Sequence, residues 1–224
     1  MKTEGLDENM VSNPLTHPRR SAIKCWNELL QGCKTLSTFI GRIEKYSKII
    51  HKAESLEEVE NLFDEFGPDG ANNFKGDVTE VFAEFTIKEY SRAWGILNYC
   101  PILTLEENDV GVDGLGNSEE GENITVQIKY GTWQTIIDYD RLDTFHCASI
   151  YKYDDAIMFV FTLAKTIHYE AFEDFHGELK FISLAEFSGV FIEEQKTPSG
   201  FYSLKKACNN KPDFWAKFLK EVQK

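Results

Sequence analysis

Residues 124–130 read Ile124-Thr125-Val126-Gln127-Ile128-Lys129-Tyr130, a β-branched, alternating run bounded by polar residues on its N-terminal side. Side chains two apart on a strand share one face, about 6.5–7 Å from each other. Gln127 and Lys129 therefore project together, while Val126, Ile128 and Tyr130 face the other way. An amide and an ammonium side by side within an apolar alternation serve chemistry rather than packing. Upstream, residues 109–114 (DVGVDG) read as a short strand running into a turn, and residues 114–123 (GLGNSEEGEN) as a polar hairpin connection. That hairpin lays the Asp113 carboxylate beside Gln127 and Lys129. Carboxylate and amide oxygens suit a hard cation such as Mg2+ or Mn2+. Such an ion polarises a phosphate and lowers the pKa of a water, and a lysine beside it stabilises charge on phosphorus or orients the water.

Further outward, the pattern is helical on the N-terminal side. Ile23, Trp26, Leu29 and Leu30 share one helical face, and Phe39, Ile43, Tyr46, Ile49 and Ile50 continue the style. Ser55 with Glu58 three residues on reads as a capping box opening a third helix, which stops at Gly67-Pro68-Asp69-Gly70. A helix over residues 75–94 carries Val78, Val81, Phe82, Phe85 and Tyr90. After Gly95 the period changes: residues 97–105 read as a strand broken by Pro101. On the C-terminal side, residues 156–163 (AIMFVFTL) are almost continuously apolar, as expected of a strand buried on both faces. Residues 179–183 read as a further strand, and 214–222 as a closing helix. Helices, strands, helix, strand and helix in this order predict an α/β fold, a mixed sheet flanked by helices.

The expected organisation is a loose tail at 1–15, a helical region at 16–70, a catalytic core at 71–190 and a basic C-terminal segment with its helix at 191–224. No stretch approaches the roughly 20 apolar residues of a membrane span, and residues 1–10 have no signal-peptide apolar region, so a cytoplasmic protein is expected. Five cysteines are scattered without a C-x-x-C pair, which argues against a disulfide framework or a zinc knuckle and for buried free thiols.

The net charge of −13 is unevenly placed. Residues 17–52 hold eight Lys and Arg against two Glu, a net of +6, and residues 196–224 hold seven Lys against two acids, a net of +5. Two basic flanks bracket a strongly acidic centre. The flanks suit phosphate and the centre suits metal; solvated faces of amphipathic helices are the plainer reading.

Val110-Gly111-Val112-Asp113 followed by Val126-Gln127-Ile128-Lys129-Tyr130 resembles the signature of the PD-(D/E)XK nuclease superfamily, in particular its Mrr-like restriction endonuclease branch. Asp113 stands at the acid position, and Gln127 and Lys129 occupy the (D/E)-x-K slot. Gly76-Asp77-Val78-Thr79-Glu80 resembles the branch's helix, on which Glu80 is the acid that completes the metal site; Glu84 lies one turn further and could substitute. Leu142, Phe145 and Ala148, the strand 156–162, the short helix expected at 168–175 and the strand in 179–187 follow the same order. The resemblance spans residues 74–187. It implies a restriction-endonuclease-like core and a Mg2+- or Mn2+-dependent endodeoxyribonuclease acting on double-stranded DNA. Catalytic Glu80, Asp113, Gln127 and Lys129 are implied, the first three as metal ligands. Trp133, Gln134, Lys205 and Lys206 are the expected DNA contacts. A homodimer or a partner subunit is also expected. The departures are a neutral Gln127 in place of an acid, Val112 where a proline is usual, and an acidic loop with Glu119, Glu120 and Glu122. A catalytically inactive nuclease-fold module that binds DNA or a protein is the alternative.

Other motifs fall short. Asp109, Asp113, Gly114 and Glu120 fit four positions of a calcium loop, but Gly111 stands at its third position and supplies no ligand. Gly114-Leu115-Gly116 lacks the third glycine of a dinucleotide site. Neither H-E-x-x-H nor G-x-S-x-G occurs. The Q-x-x-x-Y arrangement of RecB-type exonucleases is absent, since Asp138 stands four residues after Gln134 and Tyr139 comes one place late.

Overall fold

A computed structural model describes residues 14–53, 70–102, 111–131, 135–137, 139–164, 166–167, 176–184, 201–209, 211 and 213–224. Helices α1 (Arg19–Ala22), α2 (Trp26–Leu30), α3 (Leu36–Lys52), α4 (Gly70–Glu89) and α5 (Ser91–Trp94) precede the strands. Strands β1 (Leu97–Pro101), β2 (Gly114–Asn117) and β3 (Asn123–Lys129) follow, then β4 (Ile136–Ile137) and α6 (Asp143–Tyr151). The chain continues through β5 (Ile157–Thr162), β6 (Thr166–Ile167), β7 (Leu179–Ser183), β8 (Phe201–Ser203), α7 (Leu204–Asn209) and α8 (Phe214–Val222).

The main sheet has six strands in the order β1-β2-β3-β5-β7-β8. β1, β2 and β3 pair antiparallel, and β3, β5, β7 and β8 pair parallel. The fold is therefore α/β with a mixed sheet flanked by helices. β3 is the hinge between the two halves. Its register is fixed by burial: Ile124, Val126 and Ile128 enter one core with α3, α4 and α8, while Thr125 and Gln127 face the side covered by α6. A slip of one residue would reverse every one of these positions. β5 is buried along its whole length, as its unbroken apolar run requires.

Phe82 is the hub of the larger core. It is fully buried and its ring meets Phe39 of α3, Phe161 of β5, and Phe214, Trp215 and Phe218 of α8. The last helix is thereby pinned across α3 and α4. On the other face Val160, Phe145, Leu142 and Met158 form a smaller core under α6. The Thr125 and Ser149 hydroxyls, 2.8 Å apart, tie α6 to β3 within it.

The structure departs from the sequence reading at several places. α4 begins at Gly70 rather than 75, because its first turn carries no apolar stripe to signal it. It ends at Glu89, and α5 is a separate turn closed by Gly95 at φ +68°. Residues 114–117, read as hairpin connection, are strand β2. Their glycines lie beneath neighbouring side chains: a Cβ on Gly114 would stand 2.5 Å from the Tyr99 hydroxyl oxygen, and one on Gly116 would stand 3.0 Å from Ile96 Cγ2. Of the cysteines, Cys25, Cys33 and Cys208 are buried, but Cys100 and Cys147 are exposed. Leu15, in the stretch read as tail, is buried in the larger core. The helices expected from Ser55 and over 168–175 lie outside the described residues. No helix among the described residues is long and apolar enough to cross a membrane.

Truncating the hub should cost what a buried aromatic is worth. Phe82→Ala is expected to lower unfolding free energy by about 3–5 kcal/mol in urea denaturation. A loss under about 1 kcal/mol would show that α8 and α4 are not held through this ring.

Candidate active site

β2 and β3 run paired from Asn117↔Asn123 to Gly114↔Val126 and then separate. Asp113 sits at the point of separation. Its backbone N–H donates to Val126 O at 2.8 Å, and its carbonyl accepts from Ile102 N–H at 2.9 Å. The next donor along β3, the Ile128 N–H, bonds to the Asp113 carboxylate, with Oδ2 at 2.5 Å. A side chain thus completes the ladder where a backbone carbonyl would otherwise stand, and among the described residues no strand pairs with β3 on that side at Gln127–Lys129. A carboxylate has two oxygens and about four acceptor sites. This bond fixes the orientation of the group.

Gln127 is flanked by both Asp113 contacts. It is 2% exposed, and its Oε1 is buried with no hydrogen-bond partner. Leaving a buried amide oxygen unpaired costs about 1–3 kcal/mol, and such an atom marks a place for a water or an ion. The amide is enclosed by Gly111, at φ +71°, where an added Cβ would stand 2.9 Å from Gln127 Nε2. Only glycine combines that backbone conformation with that closeness. Lys129, next on the same face, is partly exposed and pairs with the fully buried Thr162 of β5.

Glu80 comes from α4, which packs on the opposite face of β3. Its Oε2 lies 2.8 Å from Nε2 of His17, and its side chain is 33% exposed. Glu84, the substitute acid, has another task. It is fully buried and accepts from Thr16 N–H and hydroxyl, His17 N–H and Lys88 Nζ. Burial pushes its pKa up, but the bonds from Lys88 and Thr16 and the Lys88 charge outweigh this and hold it below the ordinary value. Its acceptor sites are occupied by the N-terminal segment and Lys88, so of Glu80 and Glu84 it is Glu80 that reaches solvent. Asp77, one turn before Glu80, has its pKa pushed up to about 6, first by burial and then by the Glu80 charge, against the pull of Arg19 and His17.

Tyr99 of β1 belongs to the same neighbourhood. Its ring covers Gly114, its hydroxyl is buried without a partner, and its pKa is raised, first by burial and then by the charges of Asp113, Glu84 and Glu80. Gly114, read as a turn residue after Asp113, is required instead to admit this ring.

Asp113 and Gln127 are therefore adjacent at one edge of β3, with Lys129 two residues on, while Glu80 comes from α4 on the other face of the strand. Among the described residues no three His, Cys, Asp or Glu side chains converge as a metal-holding group. Gln127 stands between the two β3 residues that Asp113 bonds, and its buried, unpaired amide oxygen is a donor type that suits a hard cation. The acidic hairpin points away: Glu119, Glu120 and Glu122 lie beyond Asn117, about 10 Å further along the ladder from Gly114. Ser118 holds that turn, its hydroxyl accepting from Glu120 and Glu122 N–H. Lys205 and Lys206 are exposed on α7. Trp133 and Gln134 lie outside the described residues. His17 and Tyr99 were not singled out by the sequence, because neither stands in a motif.

Asp77 gives a pH-dependent prediction. Its folded pKa lies above the unfolded one, so ionising it opposes folding as pH rises through about 6. Asp77→Asn should raise the melting temperature at pH 7.5, with the gain shrinking to nothing below about pH 4, where the carboxyl is protonated in both states. A gain equal at both pH values would show that charge is not the cause.

No protein-family model matches this chain, and no curated protein is significantly similar to it.

Proposed function

We propose that the chain is a Mg2+- or Mn2+-dependent endodeoxyribonuclease with a PD-(D/E)XK-type site on a restriction-endonuclease-like core. The observation that carries the reading is the buried, unpartnered Gln127 Oε1 flanked by Asp113, with Lys129 two residues on. The order α4-β1-β2-β3-α6-β5 around one mixed sheet supports it as well.

Asp113 and Gln127 would hold the ion at the open edge of β3, with Glu80 reaching from α4. A bound divalent cation would polarise the scissile phosphate and acidify the attacking water. Asp113 is oriented for this by the Ile128 N–H, so little order is lost on binding. Lys129 stands on the same face as Gln127 and neutralises charge building on the phosphoryl oxygens. The exposed Lys205 and Lys206 and the basic flank at 17–52 supply contacts to the DNA backbone, which set affinity without reading sequence.

A second reading, a nuclease-fold module that binds DNA without cutting it, is favoured by the neutral Gln127 and by the missing three-acid cluster among the described residues. Supercoiled plasmid at low salt separates the two. The nuclease reading expects nicking or linearisation with Mn2+ or Mg2+, and a fall of about 100-fold or more in Lys129→Ala, as when a transition-state charge donor is lost. DNA retention without cleavage by the wild type would support the inactive module. Equal cleavage by both proteins would place the chemistry elsewhere.

A further inference from the structure

We infer that His17 is a positioning residue of the proposed metal site, aiming the Glu80 carboxylate through a hydrogen bond from its Nε2. This inference rests on the nuclease reading above and adds a residue to it.

The geometry runs outward from a buried charge. Glu84 is fully buried, and its carboxylate gathers the backbone of Thr16 and His17 onto α4, with Thr16 N–H at 2.7 Å and His17 N–H at 3.1 Å. Lys88 reinforces the clamp, donating both to Glu84 at 2.6 Å and to the Pro14 carbonyl at 3.0 Å. Arg20 closes the segment on itself through the Leu15 carbonyl at 3.2 Å. The His17 ring is left 7% exposed, with both nitrogens in hydrogen-bonding contact.

Its two nitrogens are then distinguishable. The Arg19 N–H donates to Nδ1 at 3.3 Å. A ring nitrogen that accepts carries no proton, so Nε2 is the donor, and it meets Glu80 Oε2 at 2.8 Å. One oxygen of Glu80 is thereby held by the protein, and the other is the one a cation would take. Outer-shell donors of this kind orient ligating carboxylates, and their loss costs about 10–100-fold in metal affinity or activity. Competition is the opposite possibility: a ring seated on Glu80 that must leave before metal enters. The buried clamp argues against it, since Glu84 and Lys88 hold the segment from the far side.

The test is Mn2+ titration of the full-length protein, followed by calorimetry or by the electron paramagnetic resonance of free Mn2+, with plasmid cleavage alongside. His17→Ala is expected to weaken Mn2+ binding by about tenfold and to lower kcat while leaving KM for DNA unchanged. His17→Gln, whose amide nitrogen can stand near the place of Nε2, should recover most of the loss. His17→Phe keeps the buried volume without a donor and serves if the alanine variant does not fold. Binding by the alanine or phenylalanine variant as tight as wild type, or tighter, overturns the inference while the metal reading stands. Wild type that binds no Mn2+, or binds it equally in Asp113→Asn, removes the metal reading and this inference with it.

Discussion

The hydrogen bond from the Ile128 N–H to the Asp113 carboxylate is the contact on which the candidate site depends. β3 is paired on both sides as far as Val126, and beyond it no strand among the described residues pairs on one side of the ladder. A bare edge at that point would leave a backbone donor unsatisfied, which is costly when buried. Asp113 satisfies it with a side chain instead of a carbonyl. The substitution has two effects at once. The strand edge stays open, and a carboxylate is fixed against it in one orientation. Everything assigned to the site is measured from that edge: Gln127 on the α6 side, Glu80 on the α4 side, and Lys129 one step along.

The rest of the fold holds this edge in place from both faces. Phe82 and the rings around it press α4 and α8 onto the Ile124, Val126 and Ile128 face. Phe145 and Ser149 hold α6 to the other, the latter through Thr125. Two glycines make room for close approach. Gly111 lets the chain pass over the Gln127 amide, and Gly114 admits the Tyr99 ring. The buried Glu84 is the most demanding element. A buried carboxylate is tolerated only when its acceptor sites are filled, and here the N-terminal segment fills them. Charge burial thus fixes where residues 14–20 lie, and with them the His17 ring.

Much of this was legible in the sequence where a pattern is periodic or chemically odd. The alternation of 124–130 located β3 and its two faces, because successive side chains of a strand point to opposite faces and here the apolar ones fall on one of them. The unbroken apolar run at 156–163 gave β5, and the pair Gln127 and Lys129 stood out as polar groups on an otherwise apolar strand. β2 was missed because its glycines carry no hydrophobic signal; what they report is a neighbouring ring, which is a tertiary fact. Glu84 and Glu80 could not be told apart from spacing alone, since both lie on one helical face. Their difference comes from a segment more than sixty residues away in sequence. His17 was invisible for the same reason: a histidine in a Pro-rich stretch shows no motif until the helix it docks on is present.

The most direct measurement is anomalous diffraction from crystals of the full chain grown or soaked with Mn2+, compared with crystals of Asp113→Asn. The account predicts an anomalous peak at the open edge of β3, within coordinating distance of the Asp113 carboxylate and Gln127 Oε1, and its loss in the variant. A peak elsewhere on the molecule, or an edge filled only by water at saturating Mn2+, would contradict it.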